Sequence, residues 1–290
     1  MKVVAGIAVL ICLFIEAEEG SAYLLESECG TKKQSDMGPK IKGGKDADPF
    51  SNPWMVRLIV ESPICGGSLI TCSFVLTAAH CVFNNTMRVR LGEYDTMNPE
   101  NSYEIEADLK VVHQGYNYDP TTYKYDIGLL RLKSAVQFSD YVRPICLAVH
   151  EPIRPIIPFM IAGWGQSESG QSSNILQTAY VHLISQSICS HHYTRHVGRS
   201  QLCAYDQTSD ACAGDSGGPL SAELQYRYRN QTFQLGIVSY GSQYCSSATV
   251  YTNVLHYMDW ILGVLKEYGQ RPAVQEIRYC TNGTKIDPNR

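Results

Sequence analysis

Gly-Asp-Ser-Gly-Gly-Pro, the run at Gly214–Pro219, constrains the fold and chemistry of this 290-residue sequence more than any other stretch. Two motifs come before it: Thr-Ala-Ala-His-Cys at Thr77–Cys81 and Asp-Ile-Gly-Leu-Leu at Asp126–Leu130. A serine hydroxyl is a weak nucleophile at neutral pH, and an imidazole oriented by a carboxylate can activate it. The three motifs therefore supply, in the order His, Asp, Ser, the residue types that one nucleophilic site needs.

Short apolar or alternating runs surround these motifs from Trp54 to Tyr251, separated by clusters of Gly, Pro, Asn and Ser. This pattern predicts strands joined by turns, and therefore an all-β barrel or sandwich. The runs most typical of strands are Trp54–Val60, Phe74–Thr77, Ile127–Leu132, Phe159–Ala162 and Phe233–Ser239.

One helix is predicted near the end of the chain, where Asn253 can cap a segment whose apolar residues have helical spacing. We expect this helix to pack its apolar face against the strands. The residues of that face are Val254, Met258, Ile261, Leu262 and Leu265.

The composition is that of a globular enzyme, with 44% apolar and 18% charged residues. The net charge of -4 and the pI near 6.1 give the chain no broad basic field. Nucleic acid and anionic membrane surfaces are therefore not expected as partners.

The first residues have the features of a secretory signal, with Lys2 followed by the apolar segment Val3–Ile15. Gly20–Ala22 offers a small-residue cleavage site, and a second possible cut follows Ala17. A membrane anchor is the competing interpretation, but the apolar segment is shorter than the roughly 20 residues that cross a bilayer. We predict a signal peptide at residues 1–22 and a secreted, extracellular chain.

Cys12 lies within this signal, which leaves ten cysteines, an even number that suits five disulfide bonds in an oxidising compartment. The sequence contains no Cys-x-x-Cys pair and no His-Glu-x-x-His motif, so we predict neither a metal site nor a cofactor. Three Asn-x-Thr sequons begin at Asn84, Asn230 and Asn282, and each predicts an exposed loop that can carry a glycan.

Taken together, the three motifs resemble the trypsin and chymotrypsin family of serine proteases, from Ile41 to about Tyr268. The order His, Asp, Ser separates this family from unrelated folds with the same triad. The resemblance implies two six-stranded antiparallel β-barrels packed together with a C-terminal α-helix, in a monomer. The expected divisions are a leader at 23–40, a peptidase domain at 41–268 and a C-terminal extension at 269–290.

The resemblance assigns a role to each residue of the triad. Ser216 would attack the peptide carbonyl, and His80 would take its proton and later protonate the leaving amine. Asp126 would hold the imidazole in the required tautomer. The backbone N–H groups of Gly214 and Ser216 would form the oxyanion hole.

Family positions also indicate the substrate pocket. Asp210, six residues before the nucleophile, corresponds to the pocket floor and implies cleavage after Arg or Lys, although a surface turn would also suit an aspartate. The run Ser239, Tyr240 and Gly241 matches the wall that pairs with the substrate backbone. Thr249 stands where the family usually has glycine, so it either shortens the pocket or is accommodated by a shifted loop.

Activation is implied at Lys40-Ile41, because Gly43-Gly44 follows as in the family's mature N-terminus. The new ammonium of Ile41 would insert beside Asp215 and order the oxyanion hole and pocket. Lys42 departs from the usual valine and would have to direct its ammonium to solvent.

Two other functions remain open beside a basic-specific protease. One is the same fold with non-basic specificity because of Thr249, and the other is a weakly active regulatory or binding homologue, to which Lys42 points. An unrelated extracellular hydrolase such as an esterase is disfavoured by the activation site and the order of the triad.

The family pattern also implies disulfide partners. The pair Cys72 and Cys280 remains after the family positions are assigned and would join the extension to the first barrel. The family pairs are Cys65 with Cys81, Cys189 with Cys203, Cys212 with Cys245, and Cys29 with Cys146.

Within the family, the chain is most similar to insect haemolymph proteases related to the clip-domain group, although no six-cysteine clip module precedes Lys40. This likeness implies a protein or peptide substrate, an upstream activating protease and a serpin-type or other protein inhibitor. Glu93 matches a residue that begins a calcium loop in some relatives, with Asp95, Glu100 and Glu104 nearby. We interpret this segment as a solvated acidic loop.

Overall fold

A computed structural model describes residues 23–33, 45–59, 65–117, 123–149, 158–166, 172–207, 215–241 and 247–269. Several sequence predictions fall outside these residues and stay predictions. They are the signal peptide, the activation site at Lys40, Ile41 and Lys42, the pocket residue Asp210, the oxyanion-hole residue Gly214, the sequon at Asn282, and the cysteines Cys212, Cys245 and Cys280.

The first barrel is a closed ring of six antiparallel strands in the order β3, β4, β5, β8, β7, β6, with strands numbered along the chain. Apolar residues of these strands form its core, in which Trp54 is fully buried. The strands are β3 (Met55–Ile59), β4 (Cys65–Leu69), β5 (Phe74–Thr77), β6 (Arg88–Leu91), β7 (Tyr103–Val112) and β8 (Gly128–Leu132).

The second barrel closes because β10 pairs with both β13 and β11. A short edge strand, β2 (Lys45–Asp46), adds to the outside of β11. The six strands of this barrel are β10 (Phe159–Gly163), β11 (Gln177–Ile184), β12 (Gln201–Tyr205), β13 (Pro219–Tyr226), β14 (Arg229–Tyr240) and β15 (Thr249–Asn253). The prediction of two six-stranded antiparallel barrels is therefore confirmed.

The C-terminal helix α2 (Met258–Tyr268) follows a 3-10 turn at Leu255–Tyr257 and packs onto the core of the first barrel. The helix is confirmed, but its predicted cap is wrong. Asn253 ends strand β15, and its side-chain amide donates to the carbonyl of Arg199 at 3.0 Å. That bond holds the amide in the second barrel, five residues before the helix begins.

A second helix, α1 (Gln186–Tyr193), was not predicted from the sequence. Its N-cap is Ser185, whose hydroxyl accepts a hydrogen bond from the backbone of Ser187 at 3.3 Å. No helix in the described part of the chain is long and apolar enough to cross a membrane.

The leader segment 23–33 lies against the body of the protein. Strand β1 (Tyr23–Leu24) pairs with β9 (Ala148–Val149), and Cys29 is bonded to Cys146. Directly after Cys29, the N–H of Gly30 donates to Pro144 at 2.7 Å and the carbonyl of Gly30 accepts from Thr232 at 2.9 Å. The leader is therefore joined to the barrels by backbone pairing as well as by a covalent bond.

Two further disulfide bonds join pairs that the family pattern implies, Cys65 with Cys81 and Cys189 with Cys203. Cys72 is also disulfide-bonded, and its expected partner lies outside the described residues. Of the sequons, Asn84 and Asn230 lie at exposed positions, Asn84 in a loop and Asn230 near the start of β14.

Candidate active site

His80 and Asp126 are brought together by the pairing of two strands in the first barrel. Strands β5 and β8 are antiparallel, with Thr77 opposite Gly128. His80 lies in the 3-10 turn that follows β5, and Asp126 lies just before β8. The imidazole Nδ1 is 2.8 Å from Asp126 Oδ2, and the backbone N–H of His80 donates to Oδ1 at 3.0 Å. When Nδ1 donates to the carboxylate, Nε2 keeps its lone pair for a proton from another group.

Asp126 is completely buried, and a buried carboxylate requires hydrogen-bond donors around it. In addition to the two donors of His80, the hydroxyl of Ser239 donates to Oδ2 at 2.6 Å. The hydroxyl of Thr252 donates to the backbone carbonyl of Asp126 at 2.7 Å. Both hydroxyls come from the second barrel, so the carboxylate is fixed by both halves of the molecule.

Ser216 is held in a tight turn in which the N–H of Gly218 donates to the carbonyl of Asp215 at 2.9 Å. Gly217, at the third position, has φ 82°, which a type II turn requires and which glycine adopts without steric cost. A Cβ on Gly217 would overlap the Thr77 hydroxyl and the Gly66 carbonyl. The glycine after the serine is thus required both by the turn and by close contact with the first barrel.

Contacts between the barrels place this turn beside the imidazole. The N–H of Gly66 donates to the carbonyl of Ser216 at 2.8 Å, and that carbonyl is 3.6 Å from Cys81 Sγ. Cys81 directly follows His80 and is bonded to Cys65, the neighbour of Gly66. The segments that carry the imidazole and the serine are therefore adjacent, and both side chains are partly exposed.

The ligand atoms of His80, Cys65 and Cys81 lie within 4.8 Å of one another, which is close enough for a metal site. The two sulfurs are bonded to each other, so neither can provide a thiolate ligand. This cluster is part of the His80 turn and is not a metal centre.

Asp215, which the sequence analysis assigned to the activation switch, points its carboxylate at a glycine-rich segment. The N–H of Gly165 donates to Oδ1 at 2.9 Å. A Cβ on Gly165 would lie 2.6 Å from the carboxylate carbon, and a Cβ on Gly163 would also overlap it. The Gly-Trp-Gly run at 163–165 therefore makes room for this carboxylate, a role that the sequence analysis missed although the run is visible in the sequence.

A family model described as "Trypsin" matches residues 41–261. The chain belongs to the trypsin family of serine proteases. It is 33% identical over 264 residues to serine protease grass of Drosophila melanogaster, covering 80% of this chain and 70% of that protein. It is also 33% identical to phenoloxidase-activating factor 1 of Holotrichia diomphalia, with 84% and 74% covered. The third relative is CLIP domain-containing serine protease HP8 of Bombyx mori, at 33% identity with 83% and 73% covered. The predicted likeness to insect clip-related proteases is confirmed.

In this trypsin-family chain, Gly241 and Thr249 face each other. Thr249 begins β15 and is buried, and a Cβ on Gly241 would lie 2.7 Å from its hydroxyl oxygen. The hydroxyl therefore occupies the space directly behind the Gly241 backbone. Where a glycine at position 249 would leave an open slot, this chain has a side chain.

Tyr240 forms part of an aromatic cluster beside the triad. Its ring centroid is 4.7 Å from that of Tyr123 and 5.3 Å from that of Tyr193. Burial raises the pKa of the Tyr240 phenol to about 12, so the hydroxyl is neutral at pH 7. Tyr240 was predicted from family positions, but its two aromatic neighbours were not, because they lie far away in the chain.

The backbone immediately before Asp126 is unusual. Tyr125 has φ 60°, a left-handed conformation that is uncommon for a tyrosine. Its N–H donates to the hydroxyl of Tyr257 at 3.3 Å, and its ring stacks on that of His113 at 4.8 Å. The 3-10 turn before α2 thus supports the turn that carries the triad carboxylate. Sequence reasoning missed this contact, which joins residues 132 positions apart.

The interpretation of Glu93 as part of a solvated acidic loop is wrong. The Glu93 side chain is fully buried, and its two oxygens accept hydrogen bonds from the guanidinium groups of Arg57 and Arg90. Arg90 also bonds to Glu104 on the neighbouring strand β7. Two of the four suggested calcium-loop acids are therefore already paired with arginine.

Proposed function

We propose that this chain is a secreted serine endopeptidase, made as a zymogen that is activated by cleavage between Lys40 and Ile41. The observation that carries the proposal is the buried Asp126 carboxylate 2.8 Å from the imidazole of His80, with the Ser216 turn placed beside them. Three groups of these types at the meeting point of two barrels can carry out acyl transfer.

In the proposed reaction, the Ser216 oxygen attacks the scissile carbonyl carbon while its proton moves to His80 Nε2. The carbonyl oxygen becomes an oxyanion, for which the N–H groups of Gly214 and Ser216 are the proposed donors. Collapse breaks the C–N bond, and the imidazolium gives its proton to the departing amine. Water then attacks the acyl-enzyme in the same way, which releases the acid and restores Ser216.

We propose Arg or Lys as the preferred residue before the scissile bond, because Asp210 matches the carboxylate at the family's pocket floor. A carboxylate in a partly dry pocket binds a guanidinium or ammonium by charge-assisted hydrogen bonds. The position of the Thr249 hydroxyl behind Gly241 favours a second candidate, a protease with a shortened pocket and non-basic specificity. The two candidates share the catalytic residues and differ only in the pocket.

The partners proposed are a protein substrate, an activating protease that cuts after Lys40, and a protein inhibitor. The support for a protein substrate is the relative from Holotrichia diomphalia, whose name describes the activation of another protein. The support for secretion is the apolar segment at residues 3–15 together with the disulfide bonds that the structure contains.

The test is hydrolysis of matched arginine and phenylalanine peptide amides by the purified chain, before and after cleavage at Lys40. Arginine hydrolysis that appears only after cleavage and disappears in Ser216→Ala would support the zymogen, the nucleophile and the basic pocket together. Hydrolysis of the phenylalanine amide alone would favour the shortened pocket. No hydrolysis of either amide by the cut chain would favour a regulatory or binding homologue.

A further inference from the structure

A long segment of the second barrel carries positive but no negative side chains. Between Glu168 and Asp206 there is no acidic residue, although the whole chain has a net charge of -4. Helix α1 and the loop after it contain five basic residues of this segment. These are His191, His192, Arg195, His196 and Arg199, of which all but Arg195 are exposed.

Arg195 is the member of this group that packs on two rings of the aromatic cluster, Tyr123 and Tyr240. Its guanidinium carbon is 5.0 Å from the ring centroid of Tyr123 and 5.7 Å from that of Tyr240. Cations at such distances are attracted to the electron-rich faces of aromatic rings, and the two rings also restrict the motion of the guanidinium. The edges of the guanidinium, which carry its five N–H donors, remain able to bind a carboxylate.

The backbone fixes the position of Arg195. Helix α1 ends at Tyr193, and its C-cap Thr194 has φ 51°; the N–H of Arg195 then donates to the carbonyl of Ser190 at 3.0 Å. The hydroxyl of Ser190 accepts a further hydrogen bond from the N–H of Val197 at 3.0 Å. Both bonds hold the loop against the end of the helix, so the guanidinium is presented by a constrained segment.

Both tyrosines that contact Arg195 are close in sequence to residues of the predicted triad or to a residue that bonds to it. Tyr123 is three residues before Asp126, and Tyr240 follows Ser239, whose hydroxyl donates to the Asp126 carboxylate. Within the described residues, no carboxylate forms an ion pair with Arg195. The described part of the chain thus holds a guanidinium on two rings whose chain neighbourhoods lead to Asp126, and it gives that guanidinium no acidic partner.

We propose that Arg195 binds a Glu or Asp side chain of the substrate close to the scissile bond, and that the acid-free segment around it favours substrates with an acidic stretch there. This inference rests on the proposed protease function and adds a substrate class to it. Arg195 then selects an acidic side chain of the substrate. The pocket separately selects the residue just before the scissile bond. Arg199, which is exposed on the same loop, adds a second guanidinium to this surface.

The test uses the full chain cut at Lys40 and peptide amides that carry either Glu or Gln at one of the four positions on each side of the scissile bond. We expect kcat/KM to favour Glu over Gln about three- to fivefold at one position, which is the range of a partly exposed ion pair. The ratio should decrease as NaCl is raised, because salt screens an exposed pair. In Arg195→Gln the ratio should approach one, and Arg195→Glu should favour a Lys peptide at the same position.

Arg227→Gln provides a matched control, because Arg227 also stacks on a tyrosine, Tyr226 at 5.3 Å, but lies on the hairpin between β13 and β14. It should leave the Glu/Gln ratio unchanged. A wild-type ratio near one at every position, or an unchanged ratio in Arg195→Gln, would overturn the inference. Arg195-dependent binding of a sulfated polysaccharide without any preference for Glu would replace the acidic peptide with a polyanion.

Binding to the cut Ser216→Ala chain separates this inference from the proposed function. Fluorescent Glu and Gln peptides can be compared on that inactive protein by anisotropy, without turnover. Tighter binding of the Glu peptide that disappears in Ser216→Ala/Arg195→Gln would support the contact even if the wild-type chain cleaves no peptide. Equal binding of the two peptides by a chain that does cleave them would reject the contact alone.

Discussion

Ser239 illustrates how a single buried hydroxyl supports the triad at the residue scale. It donates to the same oxygen of Asp126 that faces His80, at 2.6 Å. We expect Ser239→Ala to lower kcat about tenfold with little change in KM, because a hydrogen bond to a buried charge is lost. Steady-state kinetics on the chain cut at Lys40 measure kcat and KM separately. Ser221→Ala is the control, because the Ser221 hydroxyl is also buried but donates to the carbonyl of Met160. An equal loss of kcat in both variants would contradict the role of Ser239.

Thr249 is the residue at which pocket size can be tested. Replacing it with glycine removes the hydroxyl and methyl groups that lie behind Gly241. If Asp210 forms the floor, we expect Thr249→Gly to raise kcat/KM for the arginine amide about tenfold relative to the phenylalanine amide, the scale of one or two pocket methyl groups. Thr249→Val keeps the size of the side chain and should not show the gain. An unchanged ratio in the glycine variant would mean that the pocket already admits arginine.

At the element scale, the turn before Asp126 and the turn before α2 form one aromatic unit with His113. Its Nδ1 accepts a hydrogen bond from the N–H of Gly115 at 3.0 Å, and the ring packs against Tyr125, Tyr257 and Trp260. Burial, and secondarily His256, lowers the pKa of His113. The neutral form of the ring is therefore favoured, and in that form Nδ1 can accept this hydrogen bond.

This unit predicts a pH dependence of stability. Because the pKa of His113 is lower in the folded than in the unfolded chain, the unfolded chain binds more protons below about pH 6.5, and stability falls as pH decreases through that range. We expect the difference in Tm between pH 7.5 and pH 5.5 to be smaller in His113→Gln than in the wild-type chain. His192→Gln, at an exposed helix position, should keep the wild-type difference. An identical pH dependence in His113→Gln would show that other groups cause it.

At the scale of the whole molecule, sequence reasoning succeeded where local pattern decides structure and failed where distant segments meet. A short, nearly continuous apolar run predicted the strand Phe74–Thr77, in which all four residues are buried. Glu93 was misread because it is buried between Arg90, three residues before it, and Arg57, which lies 36 positions earlier and meets it only in the folded barrel. The cap at Asn253 was misread because its amide is taken by Arg199, 54 positions away. The cluster around Arg195 was missed for the same reason, since Tyr123 and Tyr240 approach each other only when the two barrels pack together.

The bond between Cys29 and Cys146 has different consequences before and after the proposed cut at Lys40. In the uncut chain it closes a loop with a sequence separation of 117 residues. Removing it with Cys29→Ser/Cys146→Ser should therefore lower the free energy of unfolding by about 4 kcal/mol, measured by denaturant unfolding. Once Lys40 is cut, the chain between the two cysteines is broken, and the bond only keeps the leader attached.

After cleavage of the double variant, only noncovalent contacts would hold residues 23–33, and the short β1–β9 pairing supplies two residues of strand. We expect the leader to separate from the cut double variant on gel filtration and to stay with the cut wild-type chain. The intact mass of the main gel-filtration peak, measured under non-reducing conditions, would show whether the leader is still attached. The hydrogen bonds of Gly30 to Pro144 and Thr232 are the strongest argument against release, because they anchor the leader from both sides. Retention of the leader by the cut variant would mean that those bonds and the strand pairing suffice, and that the disulfide mainly stabilises the uncut chain.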